Sequence, residues 1–258
     1  MEFIETAVRK TRSETDQHKD APTNQATAQQ AVRFTRTRVH RPRPEVLLGN
    51  RIVTNDSPSE WLDAYKVLRT QVIHRMEKNG WKTLAVTSPG ANEGKSLTAA
   101  NLAVCMAMEY NRTVLLVDAN LQRPSLDRLF DLPDDRGLRD YLLDQVPLPE
   151  LLINPGISDL VILPAGKPVP HSSELLRSPY MTRLVEEFKH RYPERMVIFD
   201  LPEVMSKADT LAFAPYVDAV MLVAEAGKTS RRALEKAMDH LSETPILGTV
   251  LNKSRMHH

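Results

Sequence analysis

Cysteine is almost absent from this sequence: Cys105 is the only one in 258 residues, so an internal disulfide is excluded. No apolar run approaches the ~18 residues of a membrane-spanning helix, and the first residues, MEFIETAVRKTR, lack the apolar stretch of a secretory signal. These absences favour a reduced, cytoplasmic setting. A net charge of +1 argues against a globally basic nucleic-acid binder, so no nucleic-acid partner is expected.

The composition changes along the chain near residue 50. Residues 1–50 are predicted to be a flexible segment, in which MEFIETAVRK can form a short amphipathic helix and a polar stretch follows it. Residues 21–44 hold five arginines and no acidic residue, which is typical either of contact with anionic lipid or an acidic partner, or of a solvated linker. Residues 51–258 are predicted to be one folded domain, because apolar residues make up 41% of the chain.

Continuous apolar runs alternate with helical patterns in the second part of the chain. The runs are TLAVTS, TVLLVD, LVILPA, MVIFDLP, AVMLVAEAG and ILGTVLN. Helices are predicted at about 57–79, 95–110, 138–143, 179–191 and 229–242. Apolar runs of this kind are typical of strands buried on both faces of a sheet. The pattern therefore predicts an α/β fold with a doubly wound, mostly parallel sheet and helices on both faces.

The stretch AVTSPGANEGKSLTAANLA, residues 85–103, joins a buried strand to an alanine-rich helix through a loop that ends in Gly-Lys-Ser. Unpaired backbone N–H groups at such a helix start favour anions. Lys95 can bind β- and γ-phosphate oxygens, and the Ser96 hydroxyl can bind Mg²⁺. The predicted ATP-binding residues of this loop are Gly90, Ala91, Asn92, Glu93, Gly94, Lys95, Ser96 and Leu97. The loop is a variant P-loop, since Pro89 stands where the general pattern has its first glycine.

Two aspartates each follow an apolar strand directly, Asp118 in TVLLVD and Asp200 in MVIFD. A carboxylate at the end of a buried strand needs a cation or N–H groups as partners. Beside a phosphate loop, the pair predicts a Mg²⁺ site formed by Ser96, Asp118 and Asp200.

The nucleotide base is predicted to be adenine. GTP-binding proteins read guanine with Asn-Lys-x-Asp, and the last strand here ends in LNKSR, with Asn252 and Lys253 but Arg255 in the acid's place. Guanine needs a carboxylate to accept from its N–H groups, so ATP is the expected nucleotide, with Asn252 near its base.

The motifs SPGANEGKS, VLLVDANLQRPS and VIFDLPEV, in this order, resemble the phosphate loop and the two Walker-type strands of the bacterial tyrosine kinases of polysaccharide synthesis and export. The resemblance covers roughly residues 50–253 and is closest to the autokinase-like proteins encoded beside exosortase systems. It implies a P-loop fold and a Mg²⁺- and ATP-dependent protein-tyrosine (auto)kinase that regulates exopolysaccharide or capsule synthesis, chain length and export.

The same resemblance implies roles for residues and partners. Lys95 would bind the phosphates, Ser96 and Asp200 would hold Mg²⁺, and Asp118 would help with the metal and the tyrosine hydroxyl. The kinase would form a ring with copies of itself and work beside a membrane chain-length regulator at the inner face of the plasma membrane. The ring-contact residues would be Asp63, Lys66 and Arg69, where the family has Glu, Arg and Arg.

Three further positions depart from the family pattern. Asn120 stands in place of a second aspartate, Gln122 in place of an arginine, and Glu203 in place of a proline. An amide at 120 cannot accept a proton, so reduced catalysis is expected. Two alternatives therefore stay open: a catalytically weak ATP-binding regulator of the same machinery, or a ParA/MinD-like positioning ATPase. ParA/MinD-like ATPases usually carry a second lysine early in the phosphate loop. That lysine is absent here, where Gly90 and Ala91 stand in its place.

Overall fold

The computed structural model describes residues 37–108, 113–133, 135–157, 159–191 and 195–254. Within these ranges eight strands form one sheet. They are β1 (Arg38–Val39), β2 (Thr83–Thr87), β3 (Thr113–Asp118), β4 (Ile153–Asn154), β5 (Leu160–Leu163), β6 (Arg195–Asp200), β7 (Ala219–Glu225) and β8 (Ile246–Asn252). Their order across the sheet is β1-β4-β5-β3-β6-β2-β7-β8. All neighbours pair in parallel except β4 and β5, which meet antiparallel at Ile153 and Ile162.

The helices of the described ranges connect these strands. They are α1 (Pro44–Gly49), α2 (Ser59–Asn79), α3 (Lys95–Ala107), α4 (Leu126–Leu129), α5 (Leu138–Asp144), α6 (Leu148–Leu151), α7 (Ser172–Leu176), α8 (Pro179–Arg191), α9 (Ala208–Phe213) and α10 (Arg231–His240), with a 3₁₀ turn at Ala214–Tyr216. None of these helices combines the length and the apolar character needed to cross a membrane.

The two faces of the sheet are covered by different helices, because successive side chains of a strand point to opposite faces. Leu84 and Val86 of β2 belong to the apolar cluster that α2 and α3 complete on one face. Phe199 of β6 lies on the other face, 6.5 Å from the ring of Phe188 in α8 and 4.9 Å from the ring of Phe213 in α9. The sheet is therefore buried on both sides, as the continuous apolar runs predict.

The fold brings the strands of the predicted site side by side. β6 lies between β3 and β2, and in the register Asp118 pairs with Asp200, which in turn pairs with Val86. Parallel strands end at the same edge of a sheet, and ligands of doubly wound sheets bind at that edge. The phosphate loop after β2 and both aspartates therefore lie at the same edge of the sheet.

The predicted fold class and its six strands are confirmed, and the helices begin and end within a few residues of the predicted bounds. Residues 38–49 differ from the expectation for the N-terminal segment, since they form β1 and α1. Leu47 is buried, and Arg43 binds Asp131 with two side-chain hydrogen bonds of 2.7 Å. Ordered structure thus starts earlier than the composition indicates. The predicted amphipathic helix lies outside the described residues.

Candidate nucleotide site

The phosphate loop owes its shape to two left-handed residues. Asn92 has φ +64° and Gly94 has φ +95°, and Gly94 leads directly into α3. A Cβ at position 94 would overlap Nδ2 of Asn252, so the position needs glycine for space as well as for conformation. No side chain caps the start of α3, which leaves its first N–H groups for an anion.

Glu93 supports the loop from inside. Its side chain is buried, and the carboxylate accepts hydrogen bonds from Gly90 N (3.1 Å) and from the Thr229 hydroxyl (2.5 Å). The loop is thereby tied to the segment between β7 and α10. Glu93 was predicted among the ATP-binding residues. In the structure its carboxylate binds two protein groups, one in the loop itself and one in the segment between β7 and α10.

Asn252 at the end of β8 has both polar atoms engaged by the protein. Its Nδ2 donates to the carbonyl oxygen of Glu93 at 2.9 Å, and its Oδ1 accepts from Lys253 N at 2.9 Å. The Lys253 ammonium donates to Asn92 O at 2.8 Å and pairs with Glu225 at 3.0 Å. The end of β8 thus holds the phosphate loop, and contact of Asn252 with adenine stays a prediction.

Asp118 and Asp200 form a buried carboxylate pair at the ends of β3 and β6, and neither is exposed to solvent. Asp118 accepts backbone hydrogen bonds from Asn120 (3.1 Å), Ser125 (2.9 Å) and Leu126 (3.0 Å). Asp200 Oδ2 lies 3.5 Å from the Ser125 hydroxyl. Its Oδ1 is buried and has no hydrogen-bond partner among the described residues.

Burial makes this pair resist ionisation. The pKa of Asp118 is raised to about 7, mainly by burial and to a smaller extent by the charge of Asp200. The three backbone N–H groups that bind Asp118 act in the opposite direction. Burial also raises the pKa of Asp200, while the Lys95 charge and a hydrogen bond from Ser96 partly offset it. A cation at this position would favour the charged forms of both groups.

The donor set fits Mg²⁺ completed by a phosphate ligand. The described residues contain no group of three or more His, Cys, Asp or Glu side chains able to hold a metal ion. Two carboxylates and the Ser96 hydroxyl are hard oxygen donors, and the partnerless Oδ1 of Asp200 is an acceptor in need of a partner. Mg²⁺ commonly takes one or two carboxylates and fills its remaining positions with water and substrate phosphate.

A cleft of about 380 Å³ joins the phosphate loop to the loop after β3. Its lining is Asn50, Asn92, Gly94, Lys95, Ser96, Leu97, Ser125, Arg128 and Leu129. Asn50, Arg128 and Leu129 belong to no motif, so their place in the cleft could not be predicted from the sequence.

The three departures lie around the pair and are each accommodated. Asn120 is buried, and its Oδ1 lies 3.4 Å from Arg123 N. Gln122 donates to Asp209 at 3.2 Å and accepts from Lys207 at 2.7 Å.

Glu203 accepts from the Ser206 hydroxyl at 2.7 Å. Burial would raise the pKa of Glu203, but the Ser206 bond and the nearby lysines hold it below its usual value. A negative charge is therefore retained close to the phosphate site.

The predicted ring-contact residues separate into an exposed pair and an anchored arginine. Lys66 and Asp63 form a surface ion pair of 3.7 Å on α2. Arg69 Nη1 instead donates to the carbonyl oxygen of Cys105 in α3 at 3.3 Å. One of the three side chains thus helps to hold two helices of its own chain together.

The chain is similar in sequence and in fold to several known proteins. The CobQ/CobB/MinD/ParA nucleotide binding domain matches residues 84–258. The tyrosine-protein kinase YwqD of Bacillus subtilis is 32% identical over 196 residues, which cover 75% of this chain and 81% of YwqD. The succinoglycan biosynthesis transport protein ExoP of Rhizobium meliloti is 30% identical over 81% of this chain and 27% of ExoP. The solved kinase domain of Escherichia coli tyrosine kinase ETK superposes with a TM-score of 0.69 at 25% identity, covering 76% of this chain and 78% of that domain.

Proposed function

Because the chain belongs to the CobQ/CobB/MinD/ParA nucleotide-binding family and, within it, to the bacterial tyrosine-protein kinases, we propose that it transfers the γ-phosphoryl group of ATP to tyrosine. The acceptors are tyrosines of its own copies or of other proteins. The pathway is exopolysaccharide or capsule synthesis, in keeping with the similarity to the succinoglycan biosynthesis transport protein ExoP.

The observation that carries the proposal is the meeting of three features at one edge of the sheet. The phosphate loop presents Lys95 and free helix N–H groups, Ser96 lies beside Asp200, and Asp118 pairs with Asp200 across the strands. Phosphoryl transfer depends mainly on positioning and on neutralising charge, which these groups supply. Mg²⁺ bound here would neutralise charge on the phosphate oxygens.

Each residue has a defined task. Lys95 would bind the β- and γ-phosphates, while Ser96 and Asp200 would hold the metal. Asp118 is kept in place by its three backbone N–H donors, so it can orient the acceptor hydroxyl without moving. Asn120 can donate or accept a hydrogen bond there but cannot take the proton, which is why we expect a slow enzyme.

Incubation with Mg²⁺-ATP and detection of phosphotyrosine test this function directly. Lys95→Met should abolish the signal and the ATP-induced rise in melting temperature. Asn120→Asp should raise the autophosphorylation rate at least ~10-fold, the low side of the ~10²–10⁴-fold range of a general base. An unchanged rate in Asn120→Asp would show that this position does not limit catalysis.

The second candidate, an ATP-binding regulator with little catalysis, is favoured by the amide at 120. It would replace the kinase if wild type and Asn120→Asp both bind ATP, gain melting temperature from it, and form no phosphotyrosine. Equal melting shifts in wild type and Lys95→Met would overturn the phosphate-loop assignment, and with it both candidates.

The cellular setting completes the proposal. The kinase acts in the cytoplasm, is recruited to the inner face of the plasma membrane by a chain-length regulator, and assembles into a ring with its own copies. The support is the resemblance of the motifs together with the exposed pair Asp63 and Lys66 on α2. Co-purification with a co-expressed membrane chain-length regulator tests the recruitment.

A further inference from the structure

Arg128 is a cation on the wall of the nucleotide cleft that the proposed reaction leaves without a task. It is exposed, and its guanidinium donates to the carbonyl oxygen of Pro124 at 3.3 Å. No acidic side chain pairs with it in the part of the chain that the structure describes. Asp131, the first acid after α4, is already engaged by Arg43 through two hydrogen bonds of 2.7 Å.

The turn that carries Arg128 is held at both ends. Asn50 Nδ2 donates to the carbonyl oxygens of Arg128 (2.8 Å) and Leu129 (3.2 Å). At the other end, Ser125 N and Leu126 N donate to Asp118. The position of Arg128 is therefore fixed relative to the carboxylate pair, and little conformational entropy of the backbone is lost when a ligand binds.

The charge of the cleft explains what Arg128 can attract. Among the described residues its lining contains two cations, Lys95 and Arg128, and no acidic residue. Bound phosphates would neutralise Lys95, and a bound metal ion would neutralise the aspartate pair. Arg128 is then the remaining positive charge of the lining.

The direction of the cleft indicates which ligand meets Arg128. Residues of the phosphate loop line the cleft together with Ser125, whose hydroxyl lies 3.5 Å from Asp200. An acceptor hydroxyl that reaches the carboxylate pair through this cleft would pass Ser125. Arg128 follows three residues later, about one helical turn or ~5 Å along α4.

We propose that Arg128 binds a carboxylate next to the acceptor tyrosine, so that the enzyme selects tyrosines with acidic neighbours. This inference rests on the proposed kinase function and specifies its substrate class. A guanidinium suits the task because it can donate two parallel hydrogen bonds to one carboxylate. Asn50 acts as a positioning residue, since it holds the turn and does not itself carry charge.

Two tyrosine peptides of equal length test the proposal, one with glutamate on both sides of the tyrosine and one with glutamine. Their affinities for the full chain loaded with Mg²⁺ and a non-hydrolysable ATP analogue are measured by fluorescence anisotropy. Wild type should bind the glutamate peptide about 5-fold more tightly at low salt, in the range of a good partly exposed ion pair. The preference should shrink at high salt.

Variants distinguish a specific effect of Arg128 from an effect of general surface charge. Arg128→Ala should abolish the preference while the glutamine peptide binds as before, Arg128→Lys should keep part of it, and Arg128→Glu should reverse it. Arg232→Ala removes an exposed arginine of α10 outside the cleft and should preserve it. Equal melting temperatures establish that the variants are folded.

Three results would overturn the proposal: a preference that survives Arg128→Ala, no measurable binding of either peptide to wild type, or a loss of nucleotide affinity in Arg128→Ala with the peptide ratio unchanged. The last would make Arg128 a nucleotide contact. Initial rates of phosphorylation of the same peptides distinguish a failure of this inference from a failure of the proposed kinase function on which it rests. If peptide binding depends on Arg128 but no phosphotyrosine forms, the proposed kinase reaction is wrong and the site for acidic peptides is retained.

Discussion

Replacing Gly94 with alanine tests whether the end of β8 holds the phosphate loop. The new Cβ would overlap Nδ2 of Asn252 and lie 3.3 Å from its Cγ, at a residue whose φ is +95°. Left-handed backbone costs a residue with a Cβ about 1–2 kcal/mol. Displacing Asn252 breaks its bond to Glu93 O, which adds about 1 kcal/mol. Gly94→Ala should therefore lower the free energy of unfolding by about 2–3 kcal/mol.

Two glycine variants and one asparagine variant separate these contributions. Gly227 also has a positive φ, +73°, and a Cβ there would meet nothing within 4 Å, so Gly227→Ala reports the backbone cost alone, about 1–2 kcal/mol. Asn252→Ala reports the lost hydrogen bond, about 1 kcal/mol. The double variant Gly94→Ala/Asn252→Ala should be no less stable than Gly94→Ala, because the single glycine change has already broken that bond.

Urea unfolding of the four variants measures these differences as a double-mutant cycle. In thermal unfolding, Gly94→Ala should lose about 4–12 °C, since a domain of this size shifts about 2–4 °C per kcal/mol. Strict additivity, with the double variant about 1 kcal/mol below Gly94→Ala, would refute the contact. Equal costs for Gly94→Ala and Gly227→Ala would refute the overlap.

Two further predictions concern the metal and the assembly. Binding of Mg²⁺ with nucleotide at pH 7 should release protons: the pKa of Asp118, about 7 without metal, must fall when a cation arrives. Calorimetry in buffers of different ionisation enthalpy measures the release, which should fade above pH 8, and no release at pH 7 would contradict the raised pKa. Lys66→Glu should abolish any higher oligomer seen by sedimentation with Mg²⁺-ATP while leaving the monomer folded, because Lys66 is exposed. Arg69→Glu should do the same but also destabilise the monomer, since Arg69 binds α3, and a wild type that stays monomeric would exclude the ring.

The parts of the site that follow strands could be predicted from the sequence. Asp118 and Asp200 end long apolar runs, and parallel strands end at one edge, so their meeting follows from the fold class. Gly-Lys-Ser after such a run likewise predicts a phosphate loop. These signals work because burial on both faces of a sheet leaves a strand few sequence alternatives.

The parts that depend on long-range contacts could not be predicted. β1 and β4 have two residues each, too few for any periodicity. Asn50 and Arg128 meet across 78 residues of chain through one side-chain amide. The inward direction of Glu93 depends on Thr229, which lies 136 residues away. Such contacts leave no local pattern, because one hydrogen bond needs only one suitable residue at each end.

The bonds from Asn252 and Lys253 have a practical consequence for anyone who alters the far end of the chain. A protein shortened before residue 252 loses the amide that supports Glu93 O, so poor nucleotide binding in such a fragment would reflect a missing support and not a missing ligand. A fusion partner or affinity tag joined just after Lys253 would directly follow the residue whose ammonium binds Asn92 O in the nucleotide loop. A label that is meant not to affect nucleotide binding is better attached elsewhere, for example on the exposed surface of α10.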